Sequence, residues 1–147
     1  ATYPCGEVSD EAKRPVAVTQ QSFWEGIRMA RQGCRVSDIG HAVQEYVEAN
    51  GFSVVRDFVG HGVGAKLHEP PEVRNFGPPG HGPRLLPGMA IAVEPMVCAG
   101  GWQVKVLADK WTTVSLDGSL TAHYENSILI TEGDPEILTV TEDGAYV

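Results

Sequence analysis

The sequence predicts an α+β domain, with two helices covering one face of an antiparallel sheet. Three observations carry this: two amphipathic segments come first, short apolar β-prone runs follow, and glycine- and proline-rich turns separate them. From Glu11 to Arg31 the apolar residues Val16, Phe23, Ile27 and Ala30 recur at seven-, four- and three-residue spacing, and Gly33 lies just past the end. Ser9 is an N-cap candidate, but Pro15 then falls inside the helix, where it removes a hydrogen bond and crowds the preceding turn. The first ordered turn is therefore expected to begin later.

A second helix is expected from the N-cap candidate Ser37. Ile39, Val43, Tyr46 and Val47 share one face, and Asn50-Gly51 supplies a left-handed stop. Phe52 to Val59 reads as a strand running into GHGVG, which sets His61 at a strand end between glycines, where backbone must pass close to something. The stretch from His68 to Pro87 holds Pro70, Pro71, Pro78, Pro79, Pro83 and Pro87, so it predicts a long, stiff surface loop. Met89–Val97, Trp102–Leu107, Trp111–Val114 and Ala122–Ile130 then read as strands of an antiparallel meander. They are punctuated by Ala99-Gly100-Gly101, Asp109-Lys110 and Asp117-Gly118. No repeat or linker divides the chain, and residues 1–147 are expected to form a single domain.

Composition narrows the function. At 42% hydrophobic and 20% charged, 147 residues suit one compact domain. A formal charge of -8 leaves no basic surface to neutralise phosphates, so nucleic acid is not an expected partner. No apolar run reaches the roughly 18 to 20 residues that span a bilayer, so no membrane partner is expected either. Cys5, Cys34 and Cys98 are odd in number and widely spaced, which argues against a disulfide framework or a thiolate zinc site and favours a cytoplasmic location.

Glu94 interrupts the apolar run Met89-Ala90-Ile91-Ala92-Val93 and precedes Pro95. A carboxylate there either faces solvent from an edge strand or has a strong partner, since an unpaired buried charge is heavily penalised. Glu125 repeats the pattern between Tyr124 and the apolar stretch Ile128-Leu129-Ile130. His61 and His68, each taken alone, are equally consistent with hydrogen-bonded structural residues. Together, two carboxylates and an imidazole on adjacent strands form an N/O ligand set suited to Mn, Fe, Co or Zn. Two such carboxylates repel each other, and a bound divalent cation is the usual way to hold both charged.

Three segments, GHGVGAKLHEPPEV (Gly60 to Val73), GMAIAVEPM (Gly88 to Met96) and TAHYENSILIT (Thr121 to Thr131), resemble in order and spacing three motifs of type I methionine aminopeptidases. Val18 to Asn50 and GFSVVRDFVG resemble the same family, so the likeness covers nearly the whole chain. The resemblance implies half of a pita-bread fold, its C-terminal half. By resemblance His61, Glu94 and Glu125 are metal ligands, with Glu125 bridging two ions in a complete site and Glu94 also taking part in proton transfer. His68 would contact the substrate and stabilise charge at the scissile amide, and Trp111 would lie near the substrate pocket, although a core tryptophan is an equal reading. The implied reaction is removal of an N-terminal methionine from peptides and nascent proteins by a metal-activated water.

Family members also carry an upstream half with two aspartate ligands and another histidine. Here Asp10, Asp38, Asp57, Asp109, Asp117 and Asp134 all lie outside the motifs, at positions that capping or solvation explains. The expectation is a chain that lacks its N-terminal half, pairing with that half as a separate chain or with a second copy. The alternative is a non-catalytic module that grips a peptide or partner chain.

Overall fold

Among residues 1–141, which the computed structural model describes, two helices precede ten short strands. The helices are α1 (Asp10–Ile27) and α2 (Val36–Ala49). The strands are β1 (Ser53–Val54), β2 (Gly60–Gly62), β3 (Glu69–Val73), β4 (Ala90–Val93), β5 (Met96–Cys98), β6 (Val104–Val106), β7 (Thr113–Ser115), β8 (Thr121–His123), β9 (Asn126–Leu129) and β10 (Glu136–Ile137).

α1 starts at Asp10 rather than after Pro15. Ser9 Oγ accepts the Ala12 N–H at 3.2 Å, and Pro15 sits inside the helix. The donor that Pro15 lacks would have served the carbonyl of Glu11, an exposed residue where water can substitute. α2 is capped at Arg35 rather than Ser37. Asp38 accepts the Arg35 N–H at 2.7 Å and, through its other oxygen, the Gly80 N–H at 2.6 Å, while Ser37 Oγ accepts from His81 N–H at 2.7 Å. Gly51, at φ 82°, makes the expected left-handed stop.

The same bonds overturn the surface loop expected over His68 to Pro87. Its first part is the edge strand β3, and its last part is strapped to the start of α2 through paired Cys34–Leu85 and Gly33–Leu85 main-chain bonds of 2.8 and 3.3 Å. Leu85 is fully buried and anchors that strap in the core. Prolines are tolerated in β3 because its register slips between His61 and Gly62, leaving Pro70 and Pro71 opposite no residue that needs their missing N–H.

The strands do not form one meander. β10-β9-β4-β2-β3 make a five-stranded antiparallel sheet, β1-β5-β8 a three-stranded one, and β6-β7 a separate ribbon. The expected strands Met89–Val97 and Ala122–Ile130 each break in two, and they break at the same level: Val93 pairs Asn126 below the gap and Met96 pairs His123 above it. Pro95 cannot donate to a ladder, but its carbonyl accepts the Tyr124 N–H at 3.2 Å, which holds the gap closed. The expected strand Phe52–Val59 shrinks to β1, and His61 lies within β2 instead of at a strand end.

The helices bury their apolar faces against the sheets. Phe23, Ile27, Ile39, Ile91, Val93 and Ile128 form one cluster, Val43, Val47, Val54 and Val97 a second. Tyr124 joins the first, its ring edge-on to Phe23 at 5.2 Å between centroids. Burial alternates from Ala122 to Ile130, so Tyr124 faces the core while His123 and Glu125 face the opposite way.

Candidate metal centre

His61 stands in β2 with Ala92 of β4 opposite on one side and Glu72 of β3 on the other. Its flanking glycines are required by close approach: a Cβ at Gly60 would land on the Ala92 carbonyl oxygen and one at Gly62 on the Pro70 carbonyl oxygen. The His61 ring is largely buried, and its Nδ1 lies 2.9 Å from the Gly62 carbonyl oxygen. A carbonyl can only accept, so Nδ1 carries the proton, and in the neutral ring Nε2 is left with a lone pair. That tautomer is the one a metal ligand needs, with its second nitrogen held by a backbone carbonyl.

Glu94 and Glu125 sit at the two sides of the shared strand break, just after β4 and between β8 and β9. Asn75, fully buried, donates from Nδ2 to the Glu94 carbonyl at 3.0 Å and so satisfies a main-chain oxygen that the break leaves without a ladder partner. His61 Nε2 is 3.6 Å from Glu94 Oε1. One donor atom from each of His61, Glu94 and Glu125 lies within 4.8 Å of the others. Among the described residues no lysine or arginine pairs with either carboxylate; their ionic neighbours are imidazoles. Converging carboxylates without a basic partner, beside an imidazole already in the ligating tautomer, fit a divalent cation.

His123 was not expected at this site. Its Nε2 lies 3.6 Å from Glu94 Oε2 and 3.9 Å from Glu125 Oε2. The signal available in the sequence was its spacing, since two residues before Glu125 on an extended chain is the same face. His123 also borders a cavity of about 330 Å³ lined by Met96, Val55, Phe58, Val104 and Val114.

His68 is exposed just before β3, with its ring centroid 4.2 Å from that of His61, so it borders the cluster from the open side. Trp111 lies at the turn of the β6–β7 ribbon and is 88% exposed, outside the core that the described residues form. The ribbon's turns are organised by carboxylates. Asp109 accepts from the Thr112 hydroxyl and from the Trp111 and Thr112 N–H groups, which lower its pKa. Asp117 is held at about 2 by hydrogen bonds from Ser119 and from the Gly101 N–H. Burial, and then Asp117, push the Cys98 thiol up, which suits an inert structural cysteine. No helix is long and apolar enough to cross a membrane among the described residues.

The family profile of metallopeptidase family M24 matches residues 1–132. The chain is 55% identical over 139 residues to a methionine aminopeptidase of Clostridium perfringens, covering 95% of this chain and 56% of that protein. A crystal structure of methionine aminopeptidase from Thermotoga maritima superposes with a TM-score of 0.91 at 50% identity, covering 93% of this chain and 55% of that one. A prolidase from Pyrococcus furiosus, at 20% identity and a TM-score of 0.68, covers 93% of this chain and 35% of its own and shares the fold. The pita-bread expectation is thus borne out, and the chain spans about half the length of the curated relatives it matches. On the match of its sequence, with its fold and its convergent His and Glu donors in agreement, the chain belongs to metallopeptidase family M24.

Proposed function

We propose that residues 1–147 are the C-terminal, ligand-bearing half of a metallo-aminopeptidase that removes N-terminal methionine from peptides and nascent proteins. The observation that carries this reading is the convergence of His61, Glu94 and Glu125 at a shared strand break, in a chain whose relatives are named methionine aminopeptidases. These three residues would hold Mn, Fe, Co or Zn, whose chemistry when bound is to polarise the scissile carbonyl and acidify a water. Glu94 takes the proton from the attacking water and delivers it toward the leaving amine. His68, at the open side of His61, hydrogen-bonds the scissile amide as charge develops there. Trp111 offers an exposed aromatic face to the substrate or to the segment that completes the pocket.

The aspartates of a complete two-ion site belong, in this reading, to the part of the relatives' length that residues 1–147 do not span. Support comes from the span of the relatives and from apolar side chains left exposed, Leu67, Val106, Leu107 and Trp111 among them. A cytoplasmic location belongs to the same reading, in keeping with three free cysteines.

The test is methionine release from a Met-Ala peptide with Mn or Co present, by this chain alone and with an aspartate-bearing upstream half from a relative. Release is expected on complementation and should fall roughly a hundredfold or more in Glu125→Ala. Peptide binding that survives chelation and Glu125→Ala, with no release in any mixture, would instead establish the non-catalytic binding module.

A further inference from the structure

Glu94 has little to hold its side chain except its own backbone. Among the described residues nothing donates a hydrogen bond to its carboxylate, and the imidazole nitrogens of His61 and His123 stand at 3.6 Å, beyond hydrogen-bond length. The direction of the side chain therefore follows from φ and ψ at Glu94, which select its allowed rotamers. Val93 is fixed in the ladder opposite Asn126, but past it the break leaves the Glu94 carbonyl to the Asn75 amide, which donates from Nδ2 at 3.0 Å. Asn75 is fully buried, and its Oδ1 finds no partner. A buried amide with its acceptor unmet costs stability that an apolar side chain of like volume would not, so packing alone does not account for it.

Asn75 is itself placed from the helical layer, where α2 grips the corner from Arg74 to Gly77. A Cβ at Gly40 would land on the Arg74 carbonyl oxygen and crowd the Phe76 nitrogen, so glycine is what lets the helix approach that closely. The His41 ring donates from Nδ1 to the Gly77 carbonyl at 3.2 Å, and Gln44 Oε1 accepts the Gly77 N–H at 2.8 Å. Phe76 packs against the cluster of Val43 and Val47, and the Arg56 guanidinium lies over its ring, 5.5 Å from the centroid. We infer that Asn75 is a positioning residue for Glu94, and that Gly40 and Gln44 of α2 act through it to fix the direction in which that carboxylate points. The inference rests on the metal-centre reading, since it is there that the direction of Glu94 has a consequence.

The test uses the whole chain, first without metal and then with Co²⁺ as the probe. Three-bond NMR couplings from Glu94 Cγ to its backbone nitrogen and carbonyl carbon report whether χ1 occupies one staggered well. The metal-free wild type should show a single rotamer. Asn75→Leu, which keeps the volume and removes the donor, should average those couplings and raise the Co²⁺ Kd about 10–100-fold. Gln44→Ala, at a half-buried helical position, should do the same to a smaller degree, and should add nothing further when combined with Asn75→Leu. Averaged couplings in the wild type overturn the assignment with no variant made, so an Asn75→Leu that fails to fold does not shelter it. A single rotamer and an unchanged Kd in folded Asn75→Leu, while Glu125→Ala abolishes Co²⁺ binding, overturn the role of Asn75 and leave the metal centre standing. No Co²⁺ binding by the wild type overturns the metal-centre reading and this inference with it.

Discussion

The strand break that presents Glu94 and Glu125 and the β6–β7 ribbon that leaves the same hairpin are built on opposite terms. At the break, every donor is placed by backbone packed on both sides: β2 between β3 and β4, buried Asn75 on the Glu94 carbonyl, and Tyr124 in the core behind Glu125. In the ribbon, turns are held by the local carboxylates Asp109 and Asp117, while Val106, Leu107, Trp111 and Leu116 stand exposed. The difference teaches that the candidate metal donors belong to the fold of this chain, whereas the ribbon's apolar side chains add little to it.

The comparison breaks first at Gly60. Gly60→Val should force β2 away from β4 and cost about 4 kcal/mol or more, in the range reserved for core disruption. Urea unfolding that finds less than about 1 kcal/mol would mean the strands can part freely and the site is not preset by packing. Asn75→Ala comes next, leaving the Glu94 carbonyl without its donor at a cost of about 1–3 kcal/mol. A neutral result there would show that water reaches the break.

In the ribbon the effects shrink. Asp117 has its folded pKa lowered from 3.8 to about 2, so the stability it contributes is present above its unfolded value and is lost as pH falls toward the folded one. Thermal unfolding of Asp117→Asn should therefore differ modestly from wild type at pH 6 and converge with it as pH drops from about 4 to about 2. A gap that persists at pH 2 would assign the effect to something other than the carboxylate. Trp111→Ala should change stability by no more than about 0.5 kcal/mol. A larger loss would mean that the ribbon is knitted into the core after all.

Most of the helical layer was legible because periodicity reports burial directly: Phe23, Ile27, Ile39 and Val43 are where spacing puts them. The caps were less so. Asp38 took the role assigned to Ser37 because the proline-rich strap brings Gly80 and His81 to the start of α2, a contact that local sequence cannot announce. The same strap hid β3, since prolines in a strand become acceptable only at a bulge on an edge. At the site, Glu94 and Glu125 were visible as carboxylates lodged in apolar runs, whereas His61, set among glycines, was marked as a ligand by the family resemblance. His123 was overlooked because it lay in a mixed stretch, where only its two-residue offset from Glu125 marked it.

The matched break in the hairpin has one more consequence. Because Glu94 and Glu125 lie between the Val93–Asn126 pair of one ladder and the Met96–His123 pair of the next, sliding one strand by a single residue would point Glu125 into the apolar core and bring Tyr124 or Asn126 to its place. Only the correctly registered chain offers the full donor set. A bound cation would then act as a fidelity check on strand pairing, withdrawing correctly aligned molecules from the pool of slipped ones as they form.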